Sequence, residues 1–409
     1  MKSKYLFLFL FIALSISSAQ ISNPFKSFNE FNTKLDSVCS IQNEIQRNDA
    51  IENLWTLLKN NNKIPFTFED SVAFLYRGSA EKVVWAGDFN GWDPSKGNFN
   101  GVKLGLSNVW RCIKKFPSNA RLDYKIIAGD KWITDPDNPF TQLSGVGSLN
   151  SELRMPDWVY PAETIRAGSS LTGTLSGYFS IASSNLSYTV YYKVYTPAGY
   201  ESLKDLPVIY VTDGHEYSDD RLGSMITVLD NLIYEKKIKP VIAVFIDPRT
   251  SPEPGAFNRR ANEYPINKNF ADFVANELVP RIDSNYHTRK SPDARLILGT
   301  SLGGINSAFF GVYRNDVFHL IGINSPAFWY KPEIFSMYEN SQNLILKIFM
   351  STGTINDTQP GAQRMKNIFD AKGYPAFYIE VPEGHSWGNW RALLDEMLAY
   401  FFEEKISIK

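Results

Sequence analysis

The chain has 409 residues, 44% of them hydrophobic and 14% aromatic, enough for two or three domains with ample core. A formal net charge of -1 leaves no electrostatic footprint for nucleic acid, and no apolar run is long enough for a comfortable membrane span. The high aromatic share suits contacts with carbohydrate or another flat ligand.

Residues 1–19 read as a signal peptide for a secreted or periplasmic protein. Lys2 and Lys4 precede an apolar run from Tyr5 to Ile16, and Ser17, Ser18 and Ala19 offer small residues for cleavage. Two cysteines, Cys39 and Cys112, would either pair in an oxidising compartment or stay as buried thiols. No Cys and His spacing suggests a metal site.

Residues 20–64 are expected to be a helical segment. Phe28, Phe31, Leu35, Val38 and Ile45 recur at helical spacing, as do Ile51, Leu54, Trp55 and Leu58, with Asn48 or Asp49 as cap of the second helix. From 65 to 158 the pattern turns to short strands, among them Val72–Tyr76, Lys82–Trp85, Val109–Ile113 and Leu122–Ile127. Strands this dense with no helical pattern between them predict a β-sandwich of immunoglobulin-like type.

Within it stand Gly87-Asp88-Phe89-Asn90-Gly91-Trp92, then Tyr124-Lys125, Lys131-Trp132-Ile133-Thr134-Asp135-Pro136 and Asn150. This set resembles the glycogen-binding type of sugar module, carbohydrate-binding module family 48. The resemblance implies that Trp92 and Trp132 stack on a glucan while Lys125 and Asn150 hydrogen-bond to it. An aromatic face does offer apolar contact to a pyranose. The alternative is a sandwich that serves as a spacer.

Residues 159–187, rich in Ser, Gly, Thr and Ala, read as linker and entry to the next domain. From 188 to 409 apolar strands alternate with helical patterns, which predicts an α/β domain with a parallel sheet covered on both faces. Its centre is Arg295-Leu296-Ile297-Leu298-Gly299-Thr300-Ser301-Leu302-Gly303-Gly304, with a helix-forming segment after it. That is the strand, sharp turn and helix of a nucleophile elbow, G-x-S-x-G. Glycines on both sides relieve crowding around a strained serine.

A serine alcohol needs a base, itself oriented by a carboxylate, and in α/β-hydrolases the chain order is serine, acid, histidine. Four histidines exist. His287 and His319 are expected to be structural or exposed, and His215 precedes the serine. His385 follows a strand at the catalytic edge and is the expected base. Asp357, on the loop beyond the strand Ile345–Met350, is the expected acid. The oxyanion donors would be the N–H of Leu302 and that of Gly214 or His215.

Asp213-Gly214, Ile246-Asp247-Pro248-Arg249, Arg260-Ala261-Asn262-Glu263, Glu277-Leu278-Val279-Pro280, the elbow, Gly353 with Asp357, and Glu383-Gly384-His385-Ser386-Trp387 cover nearly all of this segment. Together they resemble the esterase D and enterochelin-esterase group, which includes feruloyl and acetylxylan esterases. The resemblance implies an α/β-hydrolase fold and cofactor-free ester hydrolysis by Ser301, Asp357 and His385. Trp329 and Trp387, with Phe328 and Trp390, would line an acyl pocket or pack the core. Arg260 would pair with Glu263 or bind a polar part of the substrate. Export and the sugar-module pattern favour feruloyl or acetyl esters on plant-type polysaccharide. A siderophore trilactone is the second expectation, and a non-catalytic glycan-binding protein the third.

Overall fold

The computed structural model describes residues 23–168, 171–342 and 344–404, so the expected signal at 1–19 lies outside the described residues. The first helices, Phe28–Cys39 and Glu44–Asn60, are capped by the side chains of Ser27 and Asn43, which accept from the N–H of Glu30 and Gln46. Asn43 replaces the expected cap at Asn48 or Asp49, because the good helix formers Glu44, Gln46 and Arg47 extend the helix backwards. Phe31, Leu35, Leu54 and Trp55 face inward onto Phe66 and Leu75 of the first sheet. Phe31 lies flat on Phe66 with ring centroids 3.9 Å apart.

Two antiparallel sheets follow. One runs in the order Phe66–Phe68, Ser71–Arg77, Val109–Lys115, Val102–Lys103. The other runs Val83–Gly87, Arg121–Ala128, Leu149–Arg154, Thr141–Leu143, with Lys131–Ile133 also paired to Arg121–Ala128. Phe74 and Trp110 from the first sheet share one core with Trp85, Tyr124 and Leu153 from the second. Cys39 and Cys112 are both free and buried in different core clusters, which settles the choice left open by the sequence.

The segment expected to be linker and entry to the next domain contains two short strands. Thr174–Leu175 and Phe179–Ala182 both pair antiparallel with Thr189–Thr196 and extend the main sheet. Its small polar residues concealed that edge, since they carry little strand propensity.

Among the described residues the main sheet has nine strands. Its path is Thr174–Leu175, Thr189–Thr196, Ile242–Asp247, Val208–Val211, Arg295–Thr300, Leu320–Asn324, Lys347–Gly353, Ala376–Val381. From Ile242–Asp247 onward every pairing is parallel. The four strands from Ile242–Asp247 to Leu320–Asn324 are buried throughout, as a sheet covered on two faces requires. Alternate residues part accordingly: Val208, Tyr210 and Ile297 enter one core, and Ile209, Val211, Leu296 and Leu298 the other. The expected helix 269–286 is a Lys268–Phe273 helix, a π-turn at Val274–Leu278 and a Val279–Asn285 helix. Pro280, which has no N–H to donate, accounts for the slack in that ladder. This α/β layer is the α/β-hydrolase-like arrangement, and the elbow ends its central strand.

Candidate active site

The strand Arg295–Thr300 delivers Ser301 at φ 58°, ψ -114°, a conformation that L-residues avoid, and the helix Leu302–Tyr313 starts at the next residue. Neighbouring groups leave no room for side chains around it. A Cβ at Gly299 would collide with the carbonyl of Gly303 and the hydroxyl of Thr212, and one at Gly303 would lie 2.6 Å from Thr212 Oγ1. The elbow is therefore wedged against the loop that follows Val208–Val211.

His385 Nε2 lies 2.9 Å from Ser301 Oγ, and its Nδ1 lies 2.6 Å from Asp357 Oδ1. Three loops at the carboxyl edge of the sheet thus bring together the three residues that the sequence singled out. The His385 ring meets Trp390 edge to face at 4.9 Å. Asp357 is shut off from solvent, and its Oδ2 accepts from the Gly353 N–H and the Ser325 hydroxyl, each at 2.6 Å. Burial pushes this carboxyl up, but the hydrogen bonds from His385, Ser325 and Gly353 outweigh it and hold the group below the ordinary carboxylate range. A carboxylate so held keeps a proton on Nδ1 and leaves Nε2 free to accept from the serine.

On the other side of Ser301, Asp213 adopts the left-handed conformation at φ 52°. Its N–H donates to the Tyr264 hydroxyl at 2.9 Å, and its carboxylate takes Arg260 in a two-pronged pair at 3.0 and 2.9 Å. Arg260 thus pairs with Asp213 and not with Glu263, whose carboxyl accepts from the Tyr188 hydroxyl instead. A Cβ on Gly214 would press into the backbone of Phe245 and Ile246. The N–H groups of Leu302, Gly214 and His215 donate to no group among the described residues, which leaves them available to an oxyanion. The His215 ring stands 3.6 Å from both Asp247 and Glu216, and burial holds it below the ordinary histidine range, hence neutral.

A cavity of about 640 Å³ opens over Ser301 and His385. Trp92, Trp132, Lys125 and Asn150 of the N-terminal strands line it together with Trp387, Trp390, Glu216 and Arg260 of the α/β domain. The sugar-module pattern and the hydrolase motifs therefore face one space. Lys125 reaches Ser148 Oγ at 3.3 Å, while Asn150 gives its amide to Asp123 at 3.0 Å. Trp92 donates to Asp88 at 3.2 Å, and Trp132 is 46% exposed. Trp387 is buried and donates to Glu216 at 3.1 Å. Trp329 is placed otherwise than expected: it is 72% exposed and absent from the lining, because Phe328 takes the core position of the tight turn Phe328–Tyr330.

The lining is closer to neutral than its residue types suggest. Burial, with the charge of Asp123 nearby, raises the Asp88 carboxyl to about 8; burial, with Asp213 nearby, raises Glu216 to about 8 as well. Arg260 is neutralised by Asp213 and Asp123 by Arg121. Asp88, Glu216 and Ser325 were not foreseen as site residues. Asp88 stands inside the quoted Gly87-Asp88-Phe89-Asn90 run, which was a usable signal; Glu216 and Ser325 carry no local one.

The Esterase family matches residues 183–401, more than half of the chain. An endo-1,4-beta-xylanase/feruloyl esterase of Xylanibacter ruminicola is 27% identical over 221 residues, 51% of this chain and 29% of that protein. The iron(III) salmochelin esterase of Escherichia coli O6:H1 is 26% identical over 209 residues, 46% of this chain and 49% of that protein. The chain thus spans less than half the length of either relative. The enterobactin esterase of Shigella flexneri shares the fold over 81% of this chain and 92% of its own, with a TM-score of 0.67 at 19% identity. The chain belongs to the Esterase family.

Proposed function

We propose that this chain is an exported serine esterase that removes feruloyl or acetyl groups from polysaccharide. Ser301 Oγ attacks the ester carbonyl while His385 Nε2 takes its proton and Asp357 holds the imidazole through Nδ1. The N–H groups of Leu302 and of the Gly214–His215 turn receive the oxyanion. His385 returns its proton to the leaving alcohol, and water activated by the same base releases the acid. The alcohol side of the substrate lies against Trp92 and Trp132, the two N-terminal sheets forming a β-sandwich that supplies this wall.

One observation carries the reading: a single cavity holds both Ser301 and the aromatic face of Trp92 and Trp132. The relative from Xylanibacter ruminicola, named in part as a feruloyl esterase, supports it. A siderophore trilactone is the second reading, supported by the relative named for iron(III) salmochelin. Against it, an iron-bound catecholate is strongly anionic, and besides His385 the lining offers two cations, Lys125 and the already neutralised Arg260. The seating of His385 on Ser301 argues against a non-catalytic glycan binder.

The test is a side-by-side assay on feruloylated arabinoxylan, acetylated xylan and a catecholate trilactone. The reading expects one of the two polysaccharide esters to be turned over fastest. Trp92→Ala with Trp132→Ala should raise KM on the polysaccharide and leave methyl ferulate, whose alcohol is only a methyl, nearly unchanged. Faster turnover of the trilactone would replace the first reading with the second, and hydrolysis of none would favour the third.

A further inference from the structure

The histidine loop is gripped from the N-terminal strands at both neighbours of His385. Before it, Gly384 lies so close to Asp88 that a Cβ would fall on that side chain. After it, the Ser386 hydroxyl accepts from Arg121 Nη1 at 2.9 Å. Ser386 is the N-cap of the helix Trp387–Ala392, yet its hydroxyl makes no capping bond. A serine at that position ordinarily satisfies its own helix; here the hydroxyl is given to another domain. Two residues on, a Cβ at Gly388 would strike the Arg121 guanidinium. The backbone of Arg121 also bridges that of Glu383, whose carboxyl accepts from Trp158 at 3.2 Å. The acid's loop is tied to the same place, since Asn356, next to Asp357, donates to the Asp88 carbonyl at 2.9 Å.

Arg121 is fully buried, paired at 2.6 Å with both Asp123 and Glu152. A buried ion cluster of this kind is weak as a source of stability, because desolvation offsets much of its attraction. Its distinctive property is direction: a planar fork fixed on two carboxylates can aim its remaining N–H groups at one acceptor. That acceptor is the residue following His385. Arg121 also lies outside residues 183–401, the part matched by the family, so the match assigns it no role.

We propose that Arg121 is a positioning residue for His385, holding the histidine loop through Ser386 so that Nε2 faces Ser301. The N-terminal strands are then part of the catalytic machinery's frame as well as a wall of the cavity. This rests on His385 acting as the base in the proposed hydrolysis.

The experiment uses the full chain with Ser386→Ala, which leaves the Arg121 ion cluster intact, and Ser386→Thr, which keeps the hydroxyl. A fluorescent phosphonate counts reactive serines, so that kcat is expressed per titrated site on 4-nitrophenyl acetate. Ser386→Ala should lose about tenfold in kcat per site with KM nearly unchanged, within the range that misplacement of a reacting group can cost. The acid limb of its kcat/KM profile should move to lower pH, because a looser Asp357 contact stabilises the imidazolium less. Ser386→Thr should return to within about twofold of the parent. A Ser386→Ala enzyme with the parent's kcat per site and pH profile overturns the inference, and a purely structural role would give that result. Should Ser386→Ala not fold, Ser386→Cys, of similar size and a poor acceptor, takes the same readouts. A parent chain that takes no phosphonate on Ser301 would instead overturn the hydrolase reading, a separate outcome.

Discussion

Asp357→Asn is the sharpest perturbation of the site, because the neighbours dictate how the amide must lie. In the parent, Oδ1 accepts from His385 at 2.6 Å, while Oδ2 accepts from Gly353 N–H and Ser325, both at 2.6 Å, with the Thr352 hydroxyl at 3.4 Å. Asparagine has one acceptor oxygen. If it faced His385, the new NH2 would oppose the backbone N–H of Gly353, which cannot rotate away. Leaving such a buried donor unpaired costs about 1–3 kcal/mol. The oxygen therefore goes to Gly353 and Ser325, and the NH2 donates to His385 Nδ1. The imidazole must then carry its proton on Nε2, where it donates to Ser301 instead of accepting. In a serine triad that tautomer reduces kcat by about 10⁴, or ~5 kcal/mol in barrier. The assay is kcat per titrated site on methyl ferulate at pH 7, followed by release of ferulate. A loss smaller than about tenfold would refute the reasoning. The same variant has a stability signature. The folded carboxyl lies below its ordinary value, so its contribution is complete above about pH 4 and is lost as the pH falls through the folded value. Asp357→Asn should flatten that acid-side loss in a denaturant titration.

Three further outcomes follow from neighbouring groups. Arg260→Lys keeps the charge but not the fork that grips Asp213 at 3.0 and 2.9 Å, so the Gly214 turn loosens; kcat should fall about tenfold with KM kept, below the ~10²–10³ of a lost oxyanion donor. Gly299→Ala drives a Cβ into the Gly303 carbonyl and should cost about 3 kcal/mol in unfolding free energy, the upper end for overpacking, where an unchanged thermal midpoint would contradict the elbow packing. Glu216, raised to about 8 by burial first and Asp213 second, keeps its proton in the folded state long after the unfolded carboxyl has lost it. Its contribution to stability should therefore fall as the pH rises from about 4.5 toward 8 and level above it; Glu216→Gln should make the slope shallower by this one group's share, with Asp88 keeping its own, as chemical denaturation across pH would show. In the folded enzyme the charge appears only near pH 8, so KM for an acidic ester should rise there in the parent and rise less in Glu216→Gln, where Asp88 alone still ionises.

The candidate triad was legible because its parts carry local signals. The elbow is a contiguous run, and Asp357 and His385 each follow a strand that the apolar pattern marked. Four histidines made the base a matter of elimination. What failed to show was contact between distant segments. Of the two expectations for Arg260, the pairing with Glu263, three residues away, gives way to Asp213 on the end of another strand, while a place in the cavity lining leaves the substrate contact open to it. The bond from Arg121 to Ser386 spans 265 residues, and nothing at either end announces it. Its loop position suggests that Trp329 lines the pocket or packs the core, yet the turn points Phe328 inward and leaves Trp329 in solvent. The partial strand in 159–187 escaped because pairing with Thr189–Thr196, not composition, makes it a strand.

The central claim is that Ser301 forms a covalent acyl-enzyme. Its most direct measurement is acid-quenched mass spectrometry of the full chain mixed with 4-nitrophenyl acetate. One acetyl group should appear early on the peptide that holds Ser301, decay as free acetate accumulates, and be absent from Ser301→Ala. Hydrolysis without that adduct, or with undiminished rate in Ser301→Ala, would contradict the account.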